Sequence, residues 1–571
     1  MIMKRRISFS LLRNDESGAV MIIAAFSLVA FLAIASLVTD LGLRYYQKSR
    51  LQNAMDAAAL ASVTFLPDKA RAKEVAFEYV EKNGFDTNSV IVEFPEEGVI
   101  RVTDNYVCQT LFASVFSENE MNIEAHAAAK YINKNLSIDF DYLMFYGDDS
   151  TFYLNGDFRE VAGSVFGNGN IRVGCNDAAV IYDIASAREI RFVNNMSTPP
   201  NVTNNAAHQE MPDWDEMIMS VAPTAEKEQF TGPQPHITRT QNYKYKIAGD
   251  GYLNDVISYA SGGLFCGGSL STSYTDAILY VRGDLYVEKD FVPQCPAYVT
   301  GNVYVGGNFS QTWNKTLYVG GKMYVEGNAT FQAASTVTSD LYCGGNIEIF
   351  NGNGTVYKFG SIRCKGNMLT TSAWNLNLTV NGNILVYGRL ALGAGGNKIN
   401  GDIKVWGYKV SADTDTCFIN GNLNLTGDVW CHSGKVAFGG NGDCTIQGIV
   451  YSGGSIETRS GGDISLNGCM IAEGDIKIGG ASHTYNDSGA TLSLYSRRGN
   501  INLGSQGTEL KMWGIVYAPK GDIKISTDGL RVYGSLVANT LTCNIGCGFY
   551  IGQNDRTLPF AKTVRTAALV E

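Results

Sequence analysis

The chain runs to 571 residues, long enough for several domains, and carries a net charge of −10. That balance argues against a nucleic-acid partner, because phosphate contacts need a basic face. Only 18% of residues are charged and 11% are aromatic, while the 63 glycines are about half again the usual share.

Residues 1–18 form a short tail with Lys4, Arg5, Arg6 and Arg13, read as cytoplasmic. Residues 19–38 contain no charge, Pro or Gly. As a helix they span roughly 30 Å, the thickness of a bilayer's hydrocarbon core, with every backbone hydrogen bond made internally. A secretory signal peptide is the rival reading, but the run is long for one and no small-x-small cut site ends it. Arg44, Lys48 and Arg50 follow the span, so the basic residues on its two sides nearly balance and do not set its orientation.

Asp40 and Gly42 close the apolar run, and Leu51-Gln52-Asn53-Ala54-Met55-Asp56-Ala57-Ala58-Ala59-Leu60-Ala61 follows. Helix propensity accounts for the alanines but not for Asp40, Gln52, Asn53 and Asp56 at these spacings. The segment resembles the N-terminal part of TadE/TadG-like proteins of the Flp (Tad) pilus-assembly system. The resemblance implies a single-pass protein with its amino end inside the cell and its bulk outside. Asp15-Glu16-Ser17-Gly18 also resembles a prepilin-peptidase site. Pilins cut there carry Glu at the fifth residue after the Gly, where this chain has Ile23.

Residues 39–134 read as a small α+β, pilin-like domain, the order expected of that resemblance. The first helix continues to Phe65 and stops at Pro67, and Asp68 caps a second helix. Ala72, Val75, Ala76, Tyr79 and Val80 give that helix one apolar face, and Gly84 ends it. Residues 89–94 and 99–107 suggest a hairpin, 111–116 a short helix, and 121–131 a further strand. Residues 135–260 read as an irregular connecting region, with strand-like pieces at 152–154 and 190–193 and a polar stretch holding Met211-Pro212-Asp213-Trp214-Asp215.

From 261 to 555 a short unit recurs: Gly, usually Asp or Asn, then aliphatic, any residue, aliphatic. Gly283-Asp284-Leu285-Tyr286-Val287, Gly301-Asn302-Val303-Tyr304-Val305, Gly345-Asn346-Ile347-Glu348-Ile349 and Gly521-Asp522-Ile523-Lys524-Ile525 are examples. A period near twenty residues with a β-type motif is the signature of a solenoid, and a parallel β-helix is the simplest closure. The alternative is an antiparallel sandwich with Gly-rich turns. Side chains alternate along a strand, so both aliphatics point inward and the residue between them outward. Trp513-Gly514-Ile515-Val516-Tyr517-Ala518-Pro519 and Gly534-Ser535-Leu536-Val537-Ala538 resemble closing motifs of β-solenoid domains in PilX-like pilus-assembly surface proteins. Residues 556–571 are a polar C-terminal tail without assigned structure.

Chemistry is sparse. Asp148-Asp149 and Asp413-x-Asp415 are the nearest to a paired-carboxylate site, and solvated turns explain them as well. His126, His208, His236, His432 and His483 form no pair at metal-ligand spacing. The 12 cysteines permit disulfides in an exported chain and equally permit buried free thiols, and Cys543 and Cys547 are the closest pair. Tyr286, Tyr304 and Tyr324 occupy equivalent outward positions, so stacked turns would align them into an aromatic strip, a candidate sugar or partner surface, and the β propensity of Tyr on an exposed strand explains them as well. No catalytic, cofactor or metal residue is assigned. The expectation is a mainly β, membrane-anchored, non-catalytic surface protein of Flp/Tad-type pilus or envelope assembly. Its expected partners are the lipid bilayer and Tad secretion components. The alternatives are a surface adhesin that binds glycans and a polysaccharide-active β-helix enzyme.

Overall fold

The structure, a computed structural model, describes residues 16–569 apart from 67–68, 97, 110–119, 135–141, 155–157, 175–180, 194–199, 225–242, 254–256, 274–277, 351–353, 371–375, 394, 409, 411–413, 460, 481, 486–491, 506, 544–548 and 553–563. The chain is mostly β, with 49% strand. It divides into two compact units, one of residues 1–135 with 563–571 and the other of residues 136–562. The second unit is therefore an insertion in the first.

In the first unit, α1 (Glu16–Val63) is one continuous helix of 48 residues. Its first half presents apolar side chains to the surroundings: Met21 is 71% exposed, Phe26 73% and Phe31 71%. Among the described residues this is the one helix long and apolar enough to cross a membrane. The second half packs. Leu51, Ala54, Met55, Ala58, Ala59 and Val63 are fully buried at helical spacing. They meet Ile100, Val102, Ile123, Ala125, Ala127 and Ala129 in one apolar cluster. The alanines on both sides let helix and sheet backbones approach closely, which is what the Ala-rich run is for.

α2 (Lys69–Lys82) buries Ala72, Val75, Ala76 and Val80, the face expected of it. It ends at Gly84, whose φ of +82° suits a residue without a Cβ. Pro67, Asp68 and the expected helix at 111–116 lie outside the described residues. β1 (Ile91–Glu93), β2 (Val99–Gln109) and β3 (Glu120–Lys134) form an antiparallel sheet. Its fourth strand is β4 (Val564–Leu569), antiparallel to β3 with Ala129 opposite Leu569 and Lys134 opposite Val564. Part of the stretch read as a tail is thus a sheet strand. Its partner lies at the other end of the sequence, beyond any local pattern.

The second unit is a parallel β-solenoid of about 17 turns. From Tyr245 to Ser496 strands pair with the third strand after them, in parallel, so each turn contributes to three faces. Leu285–Val287, Val303–Val305 and Met323–Val325 stack on face one. Phe291–Val292, Phe309–Ser310 and Ala329–Phe331 stack on face two. Ala297–Val299, Leu317–Val319 and Ser335–Val337 stack on face three. The motif aliphatics turn inward: Leu285, Val287, Ile347, Ile523 and Ile525 belong to one continuous core cluster. The ten described cysteines are free thiols, nine of them buried.

The Gly-Asp/Asn corner explains itself in the stack. Asp290 Oδ1 accepts the Asn308 N–H at 2.7 Å, Asn308 Oδ1 that of Asn328 at 2.9 Å, Asn328 Oδ1 that of Asn346 at 2.8 Å, and Asn346 Oδ1 that of Asn367 at 2.8 Å. Each side chain thus satisfies a backbone donor of the next turn where the strand ladder is interrupted. The glycine before it is needed for space. A Cβ on Gly345 would lie 2.8 Å from the Gly327 carbonyl oxygen and closer still to Asn328 Oδ1.

The solenoid does not begin at residue 261. Described residues within 142–203 form strands of the same stack, where an irregular connection was expected. Leu536–Cys543 pairs in parallel with Met144–Tyr146, which pairs with Phe158–Gly167, and so on through Ile181–Ser186 to Asn201–Thr203. The earliest turns are therefore stacked on the latest ones. At the opposite end the first strands are Tyr245–Ile247 and Gly251–Leu253. The motifs at 513–521 and 534–538 sit inside the stack, where they carry the early turns.

Two outcomes follow for thermal unfolding of the purified protein. Ile523→Asp should cost several kcal/mol by placing an unpaired charge in the core, and Lys524→Asp no more than about 0.5 kcal/mol. Equal losses would contradict the inward and outward assignment. Asn346→Ala should cost about 1 kcal/mol for one lost acceptor. Gly345→Ala should cost more, since backbone of the preceding turn must move, and a smaller loss than that of Asn346→Ala would refute the close approach.

Candidate functional site

The residues singled out in the sequence do not converge. Asp148 accepts the Ser150 N–H at 2.8 Å, an Asx turn. Hydrogen bonds from the Ser150 side chain and backbone hold its carboxyl below the usual range. Asp149 lies 3.7 Å from both Arg188 and His208 on the exposed surface. Asp415 belongs to a different turn, where Arg459 donates to it at 2.9 and 3.2 Å. Arg459 also meets Glu457 at 2.6 Å, and Lys435 meets Glu457 at 3.1 Å. Hydrogen bonds from Arg459, outweighing burial, bring the Glu457 pKa down to about 2. Asp413 lies outside the described residues.

The histidines are equally dispersed. His126 sits in β3, His208 beside Asp149, and His432 stacks on Trp430 at 5.5 Å. His483 points into the solenoid, 2.9 Å from the Gly479 oxygen, and burial lowers its pKa. His236 lies outside the described residues. Among the described residues no group of His, Cys, Asp and Glu could hold a metal ion.

The aromatic strip exists, but not as an open platform. Tyr286, Tyr304, Tyr324 and Tyr342 are in register on face one. Ring centroids are 4.5 Å apart for Tyr286 and Tyr304 and 4.8 Å for Tyr324 and Tyr342, with the ring planes nearly parallel. The rings thus spend their faces on one another, and Tyr286 and Tyr324 are 7% and 5% exposed. A sugar stacks on a ring face, and within each pair the facing sides are taken. Burial, together with the bond from Tyr304 to Glu326, raises the Tyr304 pKa.

Sequence reading missed a clamp on the same face. Asp215 accepts from Arg497 at 2.9 and 2.8 Å and from Tyr495 at 2.5 Å, and Trp214 packs on Tyr517 with centroids 4.9 Å apart. Burial would raise the Asp215 pKa, but Arg497 and Tyr495 outweigh it and the net shift is downward. These residues fix the segment around the short helix Asp215–Met219 to the outside of the solenoid. The partners lie some 280 residues away, and only the Trp-Asp pair inside a polar stretch hinted at a docked segment.

In the first unit the signature residues act as a staple. Gln52 Nε2 donates to Asp56 Oδ1 at 2.9 Å and to the His126 carbonyl at 2.8 Å, tying α1 to β3. Both residues fall where a known family is recognised. Residues 18–64 match the Tad family, described as putative Flp pilus-assembly TadE/G-like. The TadE/G-like match is almost coextensive with α1 and stops before the sheet and the solenoid. No curated protein and no solved structure matches the chain.

The ion cluster on face two yields a pH prediction. Glu457 is depressed from the ordinary value of about 4.3, so its stabilisation is complete above about pH 4.5 and disappears as pH falls through about 2. Glu457→Gln should flatten the fall in melting temperature across that window. An unchanged acid profile in that variant would show that Glu457 contributes nothing to it.

Proposed function

We propose that this chain is a membrane-anchored, non-catalytic surface component of Flp/Tad-type pilus or envelope assembly. In this reading the amino end lies inside the cell and the solenoid outside. The observation that carries it is the coincidence of the TadE/G-like match with α1, whose first half is apolar and exposed and whose second half is packed. A solenoid of about 17 turns, each about 4.8 Å, makes a rod of roughly 80 Å. Such a rod suits a part that reaches away from an anchor. Asp148 and Asp415 support the non-catalytic reading, because both are engaged in local turn and ion-pair roles. The resemblance of 513–538 to PilX-like surface domains points the same way.

Ile23 stands where a pilin's Glu would be expensive in lipid unless a neighbouring subunit partnered it. The helix can rest in a bilayer without that cost. The protein should keep its basic tail and fractionate with membranes, with the solenoid accessible to protease on intact cells. N-terminal peptide mapping of the native protein checks this. A mature chain beginning at Ala19 and recovered from sheared filaments would replace the reading with that of a minor pilin.

A further inference from the structure

We infer that face three of the solenoid is a docking surface for an anionic polysaccharide, a glycan bearing carboxylates or phosphates. The inference rests on the surface placement proposed above for its biological meaning, though not for its test. One column of outward residues runs in register along this face from Tyr280 to Tyr550, one residue per turn. Over that stretch it contains Lys358, Lys398, Lys511 and Arg531 and no Asp or Glu, and the first carboxylate in register is Glu160, one turn beyond Tyr550. The positions between Lys398 and Lys511 are Asn or hydroxyl residues, from Asn424 to Thr484. In a chain of net charge −10 this is a track of opposite sign. Glu509 is the one carboxylate flanking it on the strand of Lys511.

The four cations are exposed, and none of the ion pairs among the described residues engages them. Elsewhere on the solenoid Lys322, Lys404, Lys435, Arg459 and Arg497 each meet a carboxylate. Face two even sets Glu457 in register with Lys477. On face three Lys511 and Arg531 instead stand directly in register, about 5 Å apart, a like-charge arrangement that destabilises a sheet. Lys358 and Lys398 are two turns apart, about 10 Å.

The chemistry selects the partner. A straight sheet face with one polar group per turn matches an extended chain, whereas a protein partner would need a buried apolar anchor. No aliphatic residue occupies this column, so it offers nothing to insert into lipid. Hydroxyl and amide groups can both donate to and accept from sugar hydroxyls, and the cations supply the charge-assisted bonds to the acid groups. At the Tyr280 end, half-buried Tyr298 and exposed Tyr318 extend the column.

The test uses the full chain in detergent micelles, with polygalacturonate as the anionic probe, dextran as the neutral one and phosphatidylglycerol vesicles as the lipid surface. The expected result is salt-sensitive binding of polygalacturonate that falls at least tenfold in Lys358→Ser/Lys398→Ser/Lys511→Ser/Arg531→Ser. The charge-matched Lys289→Ser/Lys365→Ser/Lys477→Ser/Lys524→Ser should bind as the parent does, and both variants should keep its melting temperature within a few degrees. Equal loss in the two variants, equal binding of dextran, binding of vesicles alone, or no binding of polygalacturonate each overturns the inference. Membrane fractionation and N-terminal mapping report separately on the anchor, so failure here leaves the assembly reading standing, and the reverse holds too.

Discussion

The structure depends on one repeated hydrogen bond, in which the side-chain oxygen of a corner Asn or Asp accepts from the backbone N–H of the equivalent residue one turn on. Strand ladders hold each face together, but at a corner the chain turns away from its ladder partner and leaves a donor unpaired. Asn367 supplies the acceptor for Arg389 at 2.8 Å, Asn383 that for Asp402 at 2.8 Å, and Asp443 that for Asp463 at 2.9 Å. At a part-buried corner such as that of Asn367 and Arg389 a lost acceptor would cost about 1 kcal/mol, and less at the exposed ones, so the corners contribute by repetition. The preceding glycine follows from the same bond. Adjacent turns approach so closely there that a Cβ on Gly307 would lie 2.8 Å from the Lys289 carbonyl carbon.

Because that bond has a sequence signature, most of the solenoid was legible from the residues alone. Gly-Asp/Asn followed by alternating aliphatics placed Ile347, Ile349, Ile523 and Ile525 in the core, and they are there. The same signature also stood in the region read as irregular. Gly169-Asn170-Ile171-Arg172-Val173 has the motif, Ile171 and Val173 are buried, and Asn170 Oδ1 accepts the Glu189 N–H at 3.3 Å. Few clear copies adjoin it and a polar stretch follows, so no period stands out there. The apolar half of α1 could be read from composition, since nothing but lipid or another apolar surface suits an uncharged run of that length.

What the sequence could not yield depends on contacts between distant segments. β4 pairs with β3 across the whole insertion, and nothing local in 564–569 distinguishes a strand from a tail. The clamp of Asp215 on Arg497 joins residues that only the coiling of the solenoid brings together. The candidate site shows the same limit. Register correctly aligned Tyr286, Tyr304 and Tyr324, but only coordinates reveal that aligned rings on parallel strands stack face to face and present their edges. Register also contains the column through Lys358, Lys398, Lys511 and Arg531, which becomes visible once face three is known to exist as a face.

The insertion sets the order in which this fold can be completed. Turns of a solenoid are stabilised by their neighbours, and an isolated turn cannot bury its apolar side. Met144, Val165 and Ile184 lie on inward positions of the early turns, and their platform is the strand Leu536–Cys543, near the far end of the chain. The early turns can stack on one another, as turns from about 264 onward can, but the two stacks join only once the strand Leu536–Cys543 is in place. Contacts of such long sequence separation form slowly because loop closure precedes their reward. If the chain emerges from its anchor outward, the early turns are outside before the strand that carries them. The junction between the strand at 536–543 and the strand at 144–146 is then the step that converts a growing stack into the finished domain.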